Sequence, residues 1–336
     1  MFIVIEGTDA SGKTSLIEAI HSELRRRRPN VPITRFHKGK PEELTRRWVL
    51  NDYVNSIELV DWSTRIALSD RWHWGEITYA PKYRPATNKD GYGLLGKAGW
   101  RWVELFMQSR GIAQYWLYQP LDVIETRLAA RGDEFVKVED LREILSQYEI
   151  AEQVSVIRQK IQPPANSLEK IAAIAKLIVD DAEQVAVCAK PLAAFPHYIG
   201  SHKPDILLVG DQHNATKRYG KETDLPFMPV DGNSAEYLLN SLPETVWKDV
   251  GIVNINDGAN WVGFADLVKT LGNPRIVALG RLAEKTLSRV IDSDAYVVLP
   301  HPQFVRRFAN NKQQEYGEAI IRLANTKDKE DKWILR

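Results

Sequence analysis

Near its start the chain reads Gly7-Thr8-Asp9-Ala10-Ser11-Gly12-Lys13-Thr14, a match to G-x-x-x-x-G-K-[ST]. Glycines in such a loop let backbone N–H groups turn inward around phosphates, and the helix N-terminus that follows adds partial positive charge. Gly7, Asp9, Ser11, Gly12, Lys13, Thr14 and Ser15 are the expected cradle. Lys13 is expected on the β- and γ-phosphates, and the Thr14 hydroxyl on Mg²⁺. The chemistry is phosphoryl transfer from ATP. The bland alternative is a chance glycine-rich turn, which a strand before the loop and a helix after it argue against.

A second polar group, Asp70-Arg71-Trp72, follows a short apolar run. α/β sheets place ligands at the C-terminal ends of their strands. There Asp70 can hold the metal or its water, and Arg71 can hold an acceptor phosphate bidentately. Taken alone, the pair reads first as a surface ion pair.

The elements that must position these groups alternate. Residues 2–6 have a buried-strand pattern. A helix is expected over 14–28, with Leu16, Ile17, Ile20 and Leu24 on one face and arginines at its end. Strands are expected at 33–36, 65–68 and 115–118. Helices are expected at 42–51, 100–110, 121–131, 138–160 and 167–187, and an irregular excursion at 79–99. A Pro- and Gly-bearing linker covers 188–203. The alternation then restarts, with strands at 206–209, 251–254, 275–279 and 295–299 and helices at 234–242, 263–270, 282–291 and 303–325. This is an α/β chain of two domains, 1–187 and 204–326, each with a parallel sheet covered on both faces, followed by a charged tail at 327–336.

The 336 residues carry 45 Lys+Arg against 44 Asp+Glu, a net charge of +1, so no bulk basic field advertises nucleic acid. One cysteine, Cys188, excludes a disulfide framework and any all-cysteine metal cluster. The start lacks a signal-peptide pattern and no apolar run reaches a membrane span. The expectation is a soluble, cytoplasmic protein with no membrane partner, in the host cytoplasm if the source is viral.

Residues 1–185 resemble thymidylate kinases and related deoxynucleoside monophosphate kinases. The family pattern D-R-Y, then Ser and Ala-Tyr-Gln, is met by Asp70, Arg71 and Tyr79, with Trp72, Gly75 and Ala80 as departures. The resemblance implies Asp9 near the acceptor sugar, Lys38 or Lys40 on the acceptor phosphate, and Trp72 and Tyr79 at the acceptor. It also implies a lid at Arg127-Leu128-Ala129-Ala130-Arg131-Gly132, whose Arg127 and Arg131, four apart on one helix face, neutralise the moving phosphoryl group. Lys13, Arg71, Arg127, Arg131 and Asp9 are then the catalytic set, with Thr14 and Asp70 on the metal. Trp62, Trp72, Trp74, Trp100 and Trp102 could stack on a base, although tryptophans are more often core.

Residues 203–324 resemble, more weakly, the uracil-DNA glycosylase superfamily. The ordered match is Val209-Gly210-Asp211-Gln212-His213-Asn214, Pro226-Phe227, Val253-Asn254 and His301-Pro302. It implies a base pocket in which Phe227 stacks, Asn254 reads a pyrimidine edge, His301 stabilises an oxyanion and Asp211 positions water. Singly, these are a core ring, a strand-end cap and loop residues.

Together the resemblances imply a kinase of a deoxynucleoside monophosphate, dTMP-like or carrying a modified pyrimidine, with DNA reached through the second domain and a homodimer left open. The first alternative is a kinase of a hydroxylated pyrimidine, such as 5-hydroxymethyluracil, within DNA, as in phage DNA modification. The second is base excision by the second domain. A nucleotide-binding module with a silent kinase is the third.

Overall fold

The computed structural model describes residues 1–58, 65–88, 90–131, 136–156, 158–163, 167–211, 225–230, 232–256 and 260–325. Two compact units emerge, one of Met1–Gly96 with Gly111–Cys188 and one of Lys97–Arg110 with the chain from Ala189 on.

The first unit begins with β1 (Phe2–Glu6), α1 (Lys13–Arg27), β2 (Ile33–His37), α2 (Arg46–Glu58), β3 (Ile66–Asp70) and the short helices α3 (Gly75–Thr78) and α4 (Ala80–Tyr83). The chain leaves for α5 (Gly96–Ser109) and returns as β4 (Ile112–Leu117), α6 (Leu121–Arg131), α7 (Leu141–Val154), β5 (Gln159–Ile161) and α8 (Leu168–Ala189). The sheet runs β2-β3-β1-β4-β5, and every neighbouring pair is parallel. β1 and β4 are buried at every position. That explains their continuous apolar runs, because a central parallel strand is covered on both faces. Leu16, Ile17, Ile20 and Leu24 of α1 pack with Ile3, Ile5 and Leu68 in the core of this unit. Arg25, Arg26 and Arg27 close α1 at its negative end.

One expectation is corrected here. The helix anticipated over 138–160 stops at Val154, and Gln159–Ile161 pairs with β4 as an edge strand. The Tyr118 N–H donates to the Ile161 carbonyl at 2.8 Å, and the Lys160 ammonium sits 3.9 Å from the Trp116 ring centroid. Pairing the edge of β4 outweighs helical continuation.

The second unit contains α5, β6 (Tyr198–Gly200), β7 (Ile206–Gly210), α9 (Ser234–Ser241), β8 (Val250–Asn254), α10 (Asn260–Thr270), β9 (Arg275–Leu279), α11 (Arg281–Leu287), β10 (Tyr296–Leu299), α12 (Pro302–Phe308) and α13 (Gln313–Asn325). Its sheet runs β10-β9-β7-β8-β6. The expected parallel sheet is corrected to a mixed one. Tyr198–Gly200, anticipated within the linker, adds an antiparallel edge to β8. Gly200 has φ +129°, and a Cβ there would fall 2.2 Å from the Val250 carbonyl oxygen, so only glycine lets the backbones approach.

Helix α5 interrupts the first unit in sequence yet is built into the second. Arg101, only 2 % exposed, donates to the carbonyls of Leu239 and Leu242 and pairs with Glu244. The Trp102 indole donates to the Pro226 carbonyl at 3.0 Å. Among the described residues no helix is long and apolar enough to cross a membrane.

Candidate functional site

The loop between β1 and α1 takes the shape its glycines permit. A Cβ on Gly7 would lie 2.7 Å from the Leu117 carbonyl oxygen, and Gly12 caps α1 at φ +96°. Ala10 also has positive φ, at 59°. The Ser11 hydroxyl donates to the Thr8 carbonyl at 2.8 Å. Lys13 donates to the carbonyls of Gly7 at 2.9 Å and Thr8 at 2.6 Å. Burial, and then the Arg71 cation, bring the Lys13 amine down to about 8. The Tyr148 phenol on α7 donates to the Gly7 carbonyl at 2.8 Å.

A cavity of about 640 Å³ opens over this loop. Asp9, Ser11, Gly12, Lys13, Thr14 and Ser15 line it, joined by Asp70 and Arg71 from the end of β3 and by Arg127 and Arg131 from α6. The structure therefore brings the loop, the Asp-Arg pair and both lid arginines to one cavity. An Arg127 Nη1 donates to the Ala10 carbonyl at 3.3 Å, directly over the loop. Gly132 and Asp133 of the expected lid lie outside the described residues.

Asp70 has one oxygen, Oδ1, that is buried without a hydrogen-bond partner, while Oδ2 is 3.5 Å from Nδ1 of His37, which lines the same cavity. The Thr14 hydroxyl is exposed there. An orphaned carboxylate oxygen and a hydroxyl in one cavity suit a hard divalent cation that keeps phosphate and water ligands. Among the described residues no cluster of three or more His, Cys, Asp or Glu side chains could hold a metal alone.

The acceptor-side residues are arranged differently from expectation. Arg71, at φ 65°, directs an Nη2 to Asp9 Oδ1. Its guanidinium also lies 5.1 Å from the Tyr79 ring centroid, and the Tyr79 hydroxyl donates to Asp9 Oδ2 at 3.2 Å. The Lys38 amine is 2.6 Å from Asp52 Oδ2 and 2.7 Å from the Ser56 hydroxyl, a pairing that turns it to α2. Lys40 is exposed past the end of β2. Trp72 is corrected from an acceptor contact to a core residue. It is 1 % exposed and packs with Phe2, Phe36 and Tyr53. Trp74, Trp100 and Trp102 are buried as well, and Trp62 lies outside the described residues.

Glu6, Tyr148, His37 and Asp52 were missed in the sequence. Glu6 carried a signal, a charged residue ending an otherwise apolar strand. Its Oε1 accepts the backbone N–H groups of Trp72 at 2.8 Å and Trp74 at 3.3 Å, so it ties the β3–α3 loop beside Arg71 to β1. Burial pushes its carboxyl up to about 7.

In the second unit the four expected pocket residues converge at the C-terminal ends of the parallel strands. A Cβ on Gly210 would meet Asn254 Oδ1 at 2.3 Å and the Phe227 ring at 2.5 Å, so both flank the Gly210 backbone. The Phe227 and His301 rings lie 6.5 Å apart. His301 accepts from the Gln303 N–H through Nδ1. Burial lowers its pKa while the nearby Asp211 carboxylate raises it. Asp211 Oδ1 accepts from Asn256 Nδ2 at 2.5 Å. Residues 212–214 of the expected first loop lie outside the described residues.

No family model matches this chain. Among curated proteins it is similar to the SPbeta prophage-derived uncharacterized protein YorR of Bacillus subtilis, 27 % identical over 146 residues, 44 % of this chain and 78 % of YorR. Among solved structures it is similar to B. subtilis YorR in complex with phosphorylated GDP, at 21 % identity and TM-score 0.42 over 55 % of this chain and 98 % of that one. It is also similar to deoxyadenosine kinase from M. mycoides with dCMP and dCDP bound, at 12 % identity and TM-score 0.33 over 54 % of this chain and 100 % of that one.

Proposed function

We propose that the chain is an ATP-dependent phosphotransferase acting on an acceptor of the deoxynucleoside or deoxynucleotide class. One observation carries the reading: a single cavity gathers the phosphate loop with Lys13, Asp70, Arg71, Arg127 and Arg131. The backbone N–H groups of the loop and the N-terminus of α1 hold the β- and γ-phosphates. Lys13 leaves the Gly7 and Thr8 carbonyls and turns to the phosphate oxygens. Arg127, already over the loop, offsets charge on the transferring group, and Arg131 lines the same wall. Thr14 and Asp70 would hold Mg²⁺, which when bound would neutralise charge on the phosphates during transfer.

The test is transfer of labelled γ-phosphate from ATP to a panel of acceptors. Lys13→Ala, which removes the buried cation bonded to the Gly7 and Thr8 carbonyls, is expected to lower turnover by about a hundredfold or more. Unchanged turnover in this variant would defeat the reading.

A second reading concerns the second unit, and the convergence of Phe227, Asn254 and His301 around Gly210 favours it. There the ring stacks on a pyrimidine, free or in DNA, and the amide reads its edge. Asp211, already bonded to Asn256, is better placed to order this wall than to activate water, so binding is favoured over excision. Binding of pyrimidine-containing oligonucleotides, lost in Asn254→Ala, tests this reading; release of free base would turn it towards excision.

A further inference from the structure

Resting on the base-wall reading of the second unit, we infer that the pyrimidine it takes is carried in an unpaired nucleic-acid strand, whose neighbouring base stacks on Phe304 and Phe308. Among the described residues of this unit, the large apolar side chains left exposed are Val262, Leu282, Val298, Phe304 and Phe308. Val298 lies on the edge strand β10. The other four lie on helices that leave the C-terminal ends of parallel strands. Val262 is in the first turn of α10 after β8, Leu282 in the first turn of α11 after β9, and Phe304 in the first turn of α12 after β10, with Phe308 one turn further on. Phe227, Asn254 and His301 converge at that same end of the sheet. Single exposed apolar residues are ordinary on any surface, but a set gathered at one pocket marks a binding face.

The two phenylalanine rings stand 4.9 Å apart, and Phe308 is 73 % exposed. The Phe304 N–H donates to the His301 carbonyl at 2.9 Å, so the aromatic pair follows directly from the base wall. A free pyrimidine between Phe227 and Asn254 would leave this rim in water. A strand brings a further base to it, and an aromatic ring holds any base by its face.

The rim also has a place for a phosphate. Arg306 on α12 is half-buried, and among the described residues its Nε is buried without a hydrogen-bond partner. A Cβ on Gly232 would lie 3.4 Å from Arg306 Nη1, so the guanidinium faces the segment that runs from Phe227 to α9. A buried N–H left without an acceptor is costly, and a phosphate oxygen satisfies it with a charge-assisted bond. Helices α10, α11 and α12 carry Lys269, Arg281, Lys285, Arg306 and Arg307 against Asp266 and Glu284, and Asp211 at the pocket leaves an excess of two cations. So small an excess suits the few phosphates of a short single strand. A duplex presents a charge about every 1.7 Å and keeps its bases stacked on one another, which leaves no face for Phe304 and Phe308.

The test measures binding of the full-length chain to a labelled oligothymidylate strand, to the same strand paired with its complement, and to thymidine. The single strand is expected to bind about tenfold or more tighter than the duplex. Its log affinity should fall against log salt with a slope no steeper than about −2, the value for roughly three single-strand phosphate contacts. Phe304→Ala combined with Phe308→Ala removes exposed rings, so thermal unfolding should hold while strand binding weakens about tenfold or more, the size of one stacked base. Phe308→Trp keeps a flat face and is expected to bind the strand as the wild type does.

A duplex bound as tightly as the strand would overturn the inference, and so would strand affinity unmoved in the double alanine variant. A loss in Phe308→Trp as large as in that variant would also overturn it, because ring stacking would then not be the source of binding. Each of these leaves the base wall standing if Asn254→Ala still abolishes binding. Thymidine bound, and lost in Asn254→Ala, with no strand bound would likewise sink the inference and spare the wall. Neither ligand bound would remove the base-wall reading and the inference with it.

Discussion

Tyr148 donates its phenolic hydrogen bond to the carbonyl of Gly7, 2.8 Å away and 141 residues earlier in the chain. The first residue of the phosphate loop is thereby tied to α7, within an aromatic group that includes Trp74, Trp116 and Tyr79. The contact is fully inside the unit, and burial drives the phenol pKa well above its ordinary value, so the group stays a donor. Tyr148→Phe keeps the ring and leaves Lys13 as the partner of that carbonyl. The variant is expected to lose about 1 kcal/mol of stability, the net worth of one hydrogen bond. Urea unfolding measures that loss, and ATP titration measures the accompanying drop in affinity from a looser loop.

Glu6 yields a pH dependence whose sign is fixed by its burial. Its carboxyl titrates near 7 in the folded chain against an ordinary 4.5. Below 4.5 the group is protonated in both states and costs nothing. As pH rises from 4.5 to 7 the unfolded chain gains from ionisation first, and the folded state loses up to about 3 kcal/mol relative to it. Glu6→Gln keeps an oxygen for the Trp72 and Trp74 N–H groups and removes the titration. The variant is expected to match the wild type near pH 4.5 and to exceed its stability above pH 7. Denaturant unfolding at both pH values checks the crossing, and a parallel loss in Gln at all pH values would refute it.

These two contacts mark where the sequence stopped being legible. The phosphate loop was readable because its glycines, Lys13 and Thr14 are consecutive and act through local backbone geometry. Arg127 and Arg131 were readable only through the resemblance of their segment to a kinase lid, since four-residue spacing on one face of α6 by itself reads as a solvated helix face. The edge strands β5 and β6 were not, since three residues carry no period and pairing with β4 and β8 decides their state. Nor were the ion pairs, because Arg71 meets Asp9 across 62 residues and a sequence does not say which carboxylate reaches which cation first. Trp72 was ambiguous for the same reason: its type allows a base contact or a core, and Phe2, Phe36 and Tyr53 settle it as core.

Helix α5 was assigned by position to the wrong neighbours, and Arg101 explains why. Its partners lie 138 to 143 residues later, at Leu239, Leu242 and Glu244. The first two are carbonyls at the C-terminal end of α9, groups that a helix cannot satisfy by itself. Arg101→Ala would leave them buried without donors and is expected to destabilise the second unit by about 2–4 kcal/mol. Limited proteolysis should then cut within the second unit before the first. The reverse order would contradict the placement of α5.

Gly210 offers the sharpest test of the second cluster. Its φ is ordinary, so the glycine is required by space rather than by backbone conformation. A methyl group at this position would stand 2.3 Å from Asn254 Oδ1 and 2.5 Å from a Phe227 ring carbon, far inside contact distance. Both side chains must move, or the strand end must. Overpacking of this kind costs about 1–3 kcal/mol, so Gly210→Ala is expected to remain folded but less stable. If Phe227 and Asn254 together form a base-binding wall, the same substitution should abolish binding of pyrimidine oligonucleotides while ATP turnover in the first unit persists. Oligonucleotide titration and ATP turnover on one preparation separate these effects. Oligonucleotide binding unchanged in a variant with the expected loss of stability would show that the wall is core packing and no more.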